Sequence, residues 1–194
     1  KGSSIQASDY CKKTGDYKET GILTQQGKRT DLEKACDIIV EENTIQPVVD
    51  EFPTLYVKYS RGLRDYALQV VQSYTHNSTR GIWIHGPPGT GKTHAARHLD
   101  EEAYIKAQNK WFDGYNGEKT IILDDLDTNV LGHYLKIWSD KWPCTGETKG
   151  GTVQLRHKLF IVTSNYSIDQ LYPEDAVMCE AISRRFVQVF KETR

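Results

Sequence analysis

The sequence predicts an α/β fold, a central and largely parallel sheet with helices on its faces, preceded by a small helical bundle. Three observations predict it. Short apolar runs alternate with helix-period segments from about residue 80 onward. Residues 30–75 carry helical periodicity alone. A glycine-rich loop joins the first of the apolar runs to the helix after it.

Residues 1–29 are polar and rich in Gly, Thr, Lys and Gln, and read as a linker or extended arm. Thr30 and Glu33 stand at capping-box spacing and open a helix on which Leu32, Ala35, Ile38 and Ile39 recur at helical intervals. Pro47 and Pro53 punctuate the next stretch. Residues 48–52 and 55–71 read as further helices, the second with Leu55, Tyr59, Leu63, Tyr66 and Val70 on one stripe. This bundle is read either as simple packing or as a helical collar that oligomerises. Strands are then expected at 82–85, 120–123, 159–163 and 186–190, and helices at 92–107, 130–138 and 176–185. The chain divides on this reading into 1–29, 30–75 and 76–194.

The 194 residues are 38% hydrophobic and 26% charged, the balance of a soluble globular chain that can bury a core. The 25 Lys and Arg nearly cancel the 26 Asp and Glu, so nucleic-acid binding would need a local cluster or a pore. No apolar run approaches the ~20 residues that span a bilayer, and no membrane partner is expected. The four cysteines show no Cys-x-x-Cys spacing and read as reduced thiols in a cytosolic or nuclear protein. The sequence begins at Lys1, its only methionine is Met178, and it reads as a piece of something longer.

Gly86, Pro87, Pro88, Gly89, Thr90, Gly91, Lys92 and Thr93 match G-x-x-x-x-G-K-[ST]. Glycines let backbone N–H groups curl around phosphates, and the helix that starts near Lys92 turns its positive end toward them. Lys92 is expected on the β- and γ-phosphates and the Thr93 hydroxyl on Mg²⁺, with ATP as the nucleotide. The second strand ends in Asp124 and Asp125, and such acids can sit beside the phosphate loop of the first strand. Asp124 is assigned to Mg²⁺ through water and Asp125 to polarising the attacking water; Asp127 reads as surface. Asn165 ends the third strand; taken alone it reads as a turn residue or as an amide fixing the lytic water. The aromatic set Trp83, Trp111, Phe112, Tyr115, Trp138 and Trp142 reads as core rather than as a base-stacking platform. Tyr166 or Tyr172 can approach an adenine.

Four blocks in this order, GPPGTGKT at 86–93, WFDGYNGEKTIILDD at 111–125, GETKGGTVQLRHK at 146–158 and IVTSNYSIDQLYP at 161–173, resemble the superfamily 3 helicases. They are most similar to the replication initiator proteins of circular single-stranded DNA viruses of the circovirus kind. The resemblance implies an AAA+-like ATPase core forming a homo-oligomer, a hexameric ring that works as a helicase on single-stranded DNA in the host nucleus; an RNA helicase of the same superfamily and a nucleotide-gated oligomeric scaffold are the alternative readings. It implies the Walker A role for 86–93, Walker B for Asp124 and Asp125, and the sensor role for Asn165. The segment around Lys149, Gly150 and Gly151 resembles the pore loop, its lysine on DNA phosphates, with Arg156, His157 and Lys158 adding charge. Either Arg184 or Arg185 resembles the arginine finger given to a neighbouring subunit. Residues 30–75 resemble the oligomerisation region. Tyr10, Cys11, Lys12 and Lys13 resemble the Y-x-x-K motif of the rolling-circle endonuclease, whose tyrosine nicks DNA in the full-length protein. That chemistry also needs a His-hydrophobic-His pair upstream, and the first histidine here is His76, so Tyr10 is expected to be inert in this chain.

Overall fold

The computed structural model describes residues 4–21, 30–72 and 75–193. The chain divides into two compact units, Lys1–Val70 and Val71–Arg194.

The first unit is helical. The stretch expected as an extended arm instead forms a helix α1 (Ser4–Cys11) followed by a 3-10 turn over Lys12–Thr14, closed by Gly15 at φ 77°. Gly15 is the left-handed residue that a helix end favours. Residues 22–29 of that expected arm lie outside the described residues. α2 (Thr30–Glu41) buries Ala35 and Ile39, one turn apart, and packs on α3 (Gln46–Glu51) and α4 (Pro53–Val70). Pro47 sits in the first turn of α3, where its missing N–H costs nothing. α4 buries Leu55 and Leu63, and Tyr59 interrupts it with non-helical φ −124°, ψ 18°.

The second unit is built on a five-stranded parallel sheet. Its strands are β1 (Gly81–His85), β2 (Tyr104–Lys106), β3 (Thr120–Leu123), β6 (Leu159–Ser164) and β7 (Phe186–Phe190), in the spatial order β2-β3-β6-β1-β7. Every residue of β3 is buried, which is how a central parallel strand reads when both faces are covered. Alternation divides the sheet residues between two cores. Ile84, Ile122 and Ile161 meet Ala96 of α5 (Lys92–Leu99) on one face. Trp83, Ile121, Leu123, Phe160 and Val162 meet Leu135 and Trp138 of α6 (Gly132–Trp138) and Ile182 of α8 (Ala176–Ser183) on the other. A separate antiparallel hairpin pairs β4 (Cys144–Thr148) with β5 (Gly151–Leu155). Among the described residues no helix is long and apolar enough to cross a membrane. All four cysteines are free thiols.

Elements of the second unit also depart from the sequence reading. The helix expected over 92–107 stops at Leu99, where Asp100 is extended, and Tyr104–Lys106 pairs with β3. Pairing along the buried β3 edge outweighs the helix propensity of this acidic, alanine-containing stretch. A short helix α7 (Ile168–Leu171) was also unexpected. Its signal was present: the Ser167 hydroxyl accepts the Gln170 N–H, and the Gln170 side chain accepts the Ser167 N–H, a full capping box.

The aromatic residues divide as core residues do. Trp83, Phe112, Tyr115 and Trp138 are buried, with Phe112 edge-on to Trp138 at 5.0 Å, while Trp142 is 58% exposed. Lys106 is buried among them, its ammonium over the Phe112 and Trp138 rings and donating to the carbonyls of Ala107 and Asn109. Burial pushes that ammonium down to about 8.

His157 is fully buried, and its Nε2–H donates to the Trp138 carbonyl at 2.7 Å. Burial, then the neighbouring Arg80 charge, pushes it down from 6.5 to about 3. The unfolded chain therefore takes a proton that the folded chain refuses. Stability from this group is complete above pH ~6.5 and falls by about 1.4 kcal/mol per pH unit below it, until the folded value is reached. Urea unfolding at pH 7 and pH 5 should show a loss of about 2 kcal/mol from this group, absent in His157→Gln. An unchanged pH slope in the variant would refute the assignment.

Candidate functional site

The site grows from the C-terminal ends of β1, β3 and β6. After His85 the chain turns at Gly86 with φ +145°, and a Cβ there would stand 2.2 Å from the Lys191 carbonyl oxygen. Only glycine fits. The loop then rises over open space at Gly89, φ +82°, and Gly91, φ +80°, caps the N-terminus of α5. The Thr90 hydroxyl fastens it by donating to the Pro87 carbonyl at 3.0 Å. Lys92 is 6% exposed, and its ammonium donates to Gly86 O at 2.9 Å, Pro87 O at 2.8 Å and Asn165 Oδ1 at 2.8 Å.

The strand order explains how Asn165 gets there. β1 and β6 run parallel with His85 opposite Ser164, so Gly86 and Asn165 leave the sheet side by side. β6 lies between β3 and β1, so one strand separates the acids from β1, although Asp125 still lines the same cleft as the phosphate loop. Thr163 bridges this separation. Its hydroxyl donates to Asp124 Oδ1 at 2.6 Å and accepts the Asp125 N–H at 2.8 Å. Asp125 holds φ 55°, a left-handed turn that an Asp tolerates better than most residues. A cleft of about 540 Å³ opens here, lined by Lys92, Thr93, Asp125 and Asn165 with Pro88, Gly89 and Gly91 of the loop. Asp124 is half-buried and is not in the cleft wall. His94 and Arg97 of α5 do line it, and the sequence reading passed over both. Their signal was spacing, since Arg97 stands four residues after Thr93 on one helix face.

The hairpin tip is Lys149 and Gly150, both exposed, Gly150 at φ +103°, a left-handed-region value that glycine adopts without a steric cost. Its support is the segment before β3. The Lys149 N–H donates to Asp113 Oδ1 at 2.9 Å and the Phe112 N–H to Glu147 O at 2.7 Å. Lys110 pairs with Glu147 at 2.7 Å. At Gly146 a Cβ would meet the Phe112 ring at 2.6 Å. At the base, Arg80 donates to His157 O at 2.8 Å, Trp142 O at 3.2 Å and Cys144 Sγ at 3.4 Å. Lys158 is exposed. His157, expected to add to the basic surface with it and Arg156, is instead enclosed in the core.

The two candidate finger arginines differ. Arg185 is held by Asp140 at 2.8 Å and by the Ala181 carbonyl at 2.6 Å, whereas Arg184 is exposed at the end of α8. Tyr172 is buried and so does not reach toward a ligand; Tyr166 is 45% exposed. Tyr10 is exposed on α1.

A parallel sheet with a glycine loop between β1 and α5, and with acid and amide ends of β3 and β6 converging on it, defines a P-loop-like α/β domain. Residues 82–166 match the family described as RNA helicase. The chain is 37% identical to the replication-associated protein of Porcine circovirus 1, over 95% of this chain and 61% of that protein. It is 33% identical to that of Beak and feather disease virus, over 98% of this chain and 65% of that protein. It is 30% identical to a segment of the genome polyprotein of Human rhinovirus C (strain C15), over 96% of this chain and 10% of the polyprotein. Across nearly its whole length the chain is thus a homologue of circovirus replication-associated proteins, and residues 82–166 carry the match to a helicase family. It spans about six tenths of the length of the circovirus relatives it matches.

The two loop glycines should respond differently to a methyl group. Gly86→Ala meets both a backbone oxygen and a forbidden φ, and should cost roughly 2–3 kcal/mol by urea unfolding. Gly89→Ala meets only the φ term in open space and should cost about 1 kcal/mol. Equal costs would show that the Lys191 contact does not constrain the loop.

Proposed function

We propose that this chain is an ATP-driven motor of a viral replication initiator, hydrolysing ATP with Mg²⁺ and moving along single-stranded DNA as a hexameric ring. The observation that carries the reading is the Lys92 ammonium bonded to both the glycine loop and Asn165. A cation held between a phosphate loop and a polar strand end is what phosphoryl transfer uses to position the terminal phosphate.

The residues present suit the nucleotide and its metal. The loop amides and the α5 N-terminus suit polyphosphate. Thr93 in the cleft wall offers Mg²⁺ a hard oxygen donor, and Asp124, set back from the wall, would hold the ion through water, which suits an ion that takes few protein ligands and completes its shell with water and phosphate. Bound there, Mg²⁺ neutralises phosphate charge. Lys92 exchanges its carbonyl acceptors for phosphate oxygens, so its charge is not left without partners. Asp125, exposed in the cleft, is set to orient the attacking water and take its proton, and Asn165 to hold that water against the γ-phosphate. Exposed Arg184 suits a finger reaching a neighbour's γ-phosphate; Arg185 already has its acid. The Lys149–Gly150 tip, with exposed Lys158, suits a backbone grip that reads no base. In the full-length protein the helical unit 30–75 would form the collar of the ring, and a tyrosine would nick DNA in an endonuclease domain.

A second reading, an RNA motor, is favoured by the family description and by the rhinovirus polyprotein. The DNA reading draws on the likeness to the circovirus proteins.

Steady-state ATP hydrolysis with and without single-stranded DNA tests the proposal. DNA should stimulate wild type, and Lys92→Ala should lose about 10³-fold or more in turnover. Lys149→Ala should keep basal hydrolysis and lose the stimulation. Arg184→Ala should lower turnover at unchanged nucleotide affinity, whereas Arg185→Ala should lower the melting temperature instead. Stimulation by RNA that DNA oligomers fail to compete away would favour the RNA reading. Hydrolysis untouched by Lys92→Ala would end the motor reading.

A further inference from the structure

Arg97 is a cation in the cleft to which the roles above give no work. It stands on α5 four residues after Thr93, so the two share a helix face one turn apart. Helical side chains lean toward the helix N-terminus, which here carries the guanidinium back toward the phosphate loop. Arg97 lines the same cleft as Lys92, Thr93, Asp125 and Asn165. It is exposed and, among the described residues, makes no hydrogen bond or ion pair. Lys92 is its opposite, buried with three protein oxygens already bonded to its ammonium. The cleft thus holds one cation fixed by the protein and a second whose five donors await an acceptor.

A solvated surface arginine would be placed as readily on any face of α5. This one follows Thr93, the face that carries the metal-binding hydroxyl and meets the terminal phosphates in the proposed nucleotide complex. We propose that Arg97 is a nucleotide-binding residue of its own subunit, its planar guanidinium pairing with terminal phosphate oxygens on the Thr93–Asp125 side of the cleft. The proposal rests on the nucleotide reading above and deepens it, because it makes the site distinguish a triphosphate from a diphosphate. A fork of parallel N–H donors matches phosphate oxygens in pairs, which a lysine at this position would not reproduce.

The test is fluorescence titration of the whole chain with a mant-labelled non-hydrolysable triphosphate and with mant-ADP, both with Mg²⁺. Wild type, Arg97→Gln, Arg97→Lys and Lys92→Ala are compared. Arg97→Gln should lose about 10-fold in triphosphate affinity and less than about threefold in ADP affinity, with Arg97→Lys between it and wild type. Its triphosphate binding should also fall less steeply with salt, since one screened phosphate contact is gone. A merely structural role would instead lower the melting temperature and weaken both nucleotides together. Equal affinities in wild type and Arg97→Gln, or an equal loss for both nucleotides, overturn the proposal. If wild type binds neither nucleotide, the nucleotide reading itself falls and takes this proposal with it.

Discussion

The parallel pairing of β1 with β6 is the constraint on which the site depends. Because His85 stands opposite Ser164, the two strands end together and release Gly86 and Asn165 at one point. The Lys92 ammonium then closes the gap, with bonds to both segments from the first turn of α5. A slip of one residue in this register would turn the alternating side chains of β6 to the opposite faces. Phe160 and Val162 would leave one core and Ile161 the other, so the packing of both faces holds the site in place. The glycine loop owes its shape to the same sheet: its first residue touches the backbone that continues from β7, the outer neighbour of β1.

Thr163 does for the acids what Lys92 does for the loop. One hydroxyl, buried at the end of β6, donates to the carboxylate of Asp124 and accepts the amide of Asp125. The bond to a charged oxygen is among the stronger that a hydroxyl makes, and it ties the end of β3 to β6, the strand that separates it from β1. The Thr163 and Ser164 side chains thus bond the segment after β3, Ser164 through the Leu126 carbonyl, while Asn165 bonds Lys92. β6 is the member of the sheet through which the acid segment and the phosphate loop meet.

At the other end of the sheet, buried basic groups tie the hairpin to the core. Arg80, directly before β1, holds carbonyls and a thiol from both sides of the hairpin base. Its charge helps keep the adjacent His157 neutral. β1 therefore begins at the hairpin's root and ends at the phosphate loop. A single five-residue strand links the two surfaces on which the proposed motor would act.

Much of this was legible in the residues themselves. The glycine loop could be read because its spacing follows from chemistry that admits few alternatives: a missing Cβ, a lysine and a hydroxyl at set intervals. The apolar runs of β1, β3 and β6 declared themselves because strands covered on both faces have little polar alternation to confuse them, whereas β7, exposed beyond Phe186, was legible from its apolar residues alone. Local pattern failed where a distant partner decided the outcome. Tyr104–Lys106 became a strand because the edge of β3 was open to it, and residues 4–14 became helical where polar composition suggested an arm. His157 sits between two basic residues in sequence yet was enclosed by the Trp138 carbonyl and the Phe160 ring. The sequence alone determined which side chains are available for phosphate chemistry. Only the tertiary structure decided which of them meet, since strand order and register are settled by contacts between residues far apart in the chain. Those contacts put Asn165 on Lys92, Arg97 in the cleft and Arg185 on Asp140.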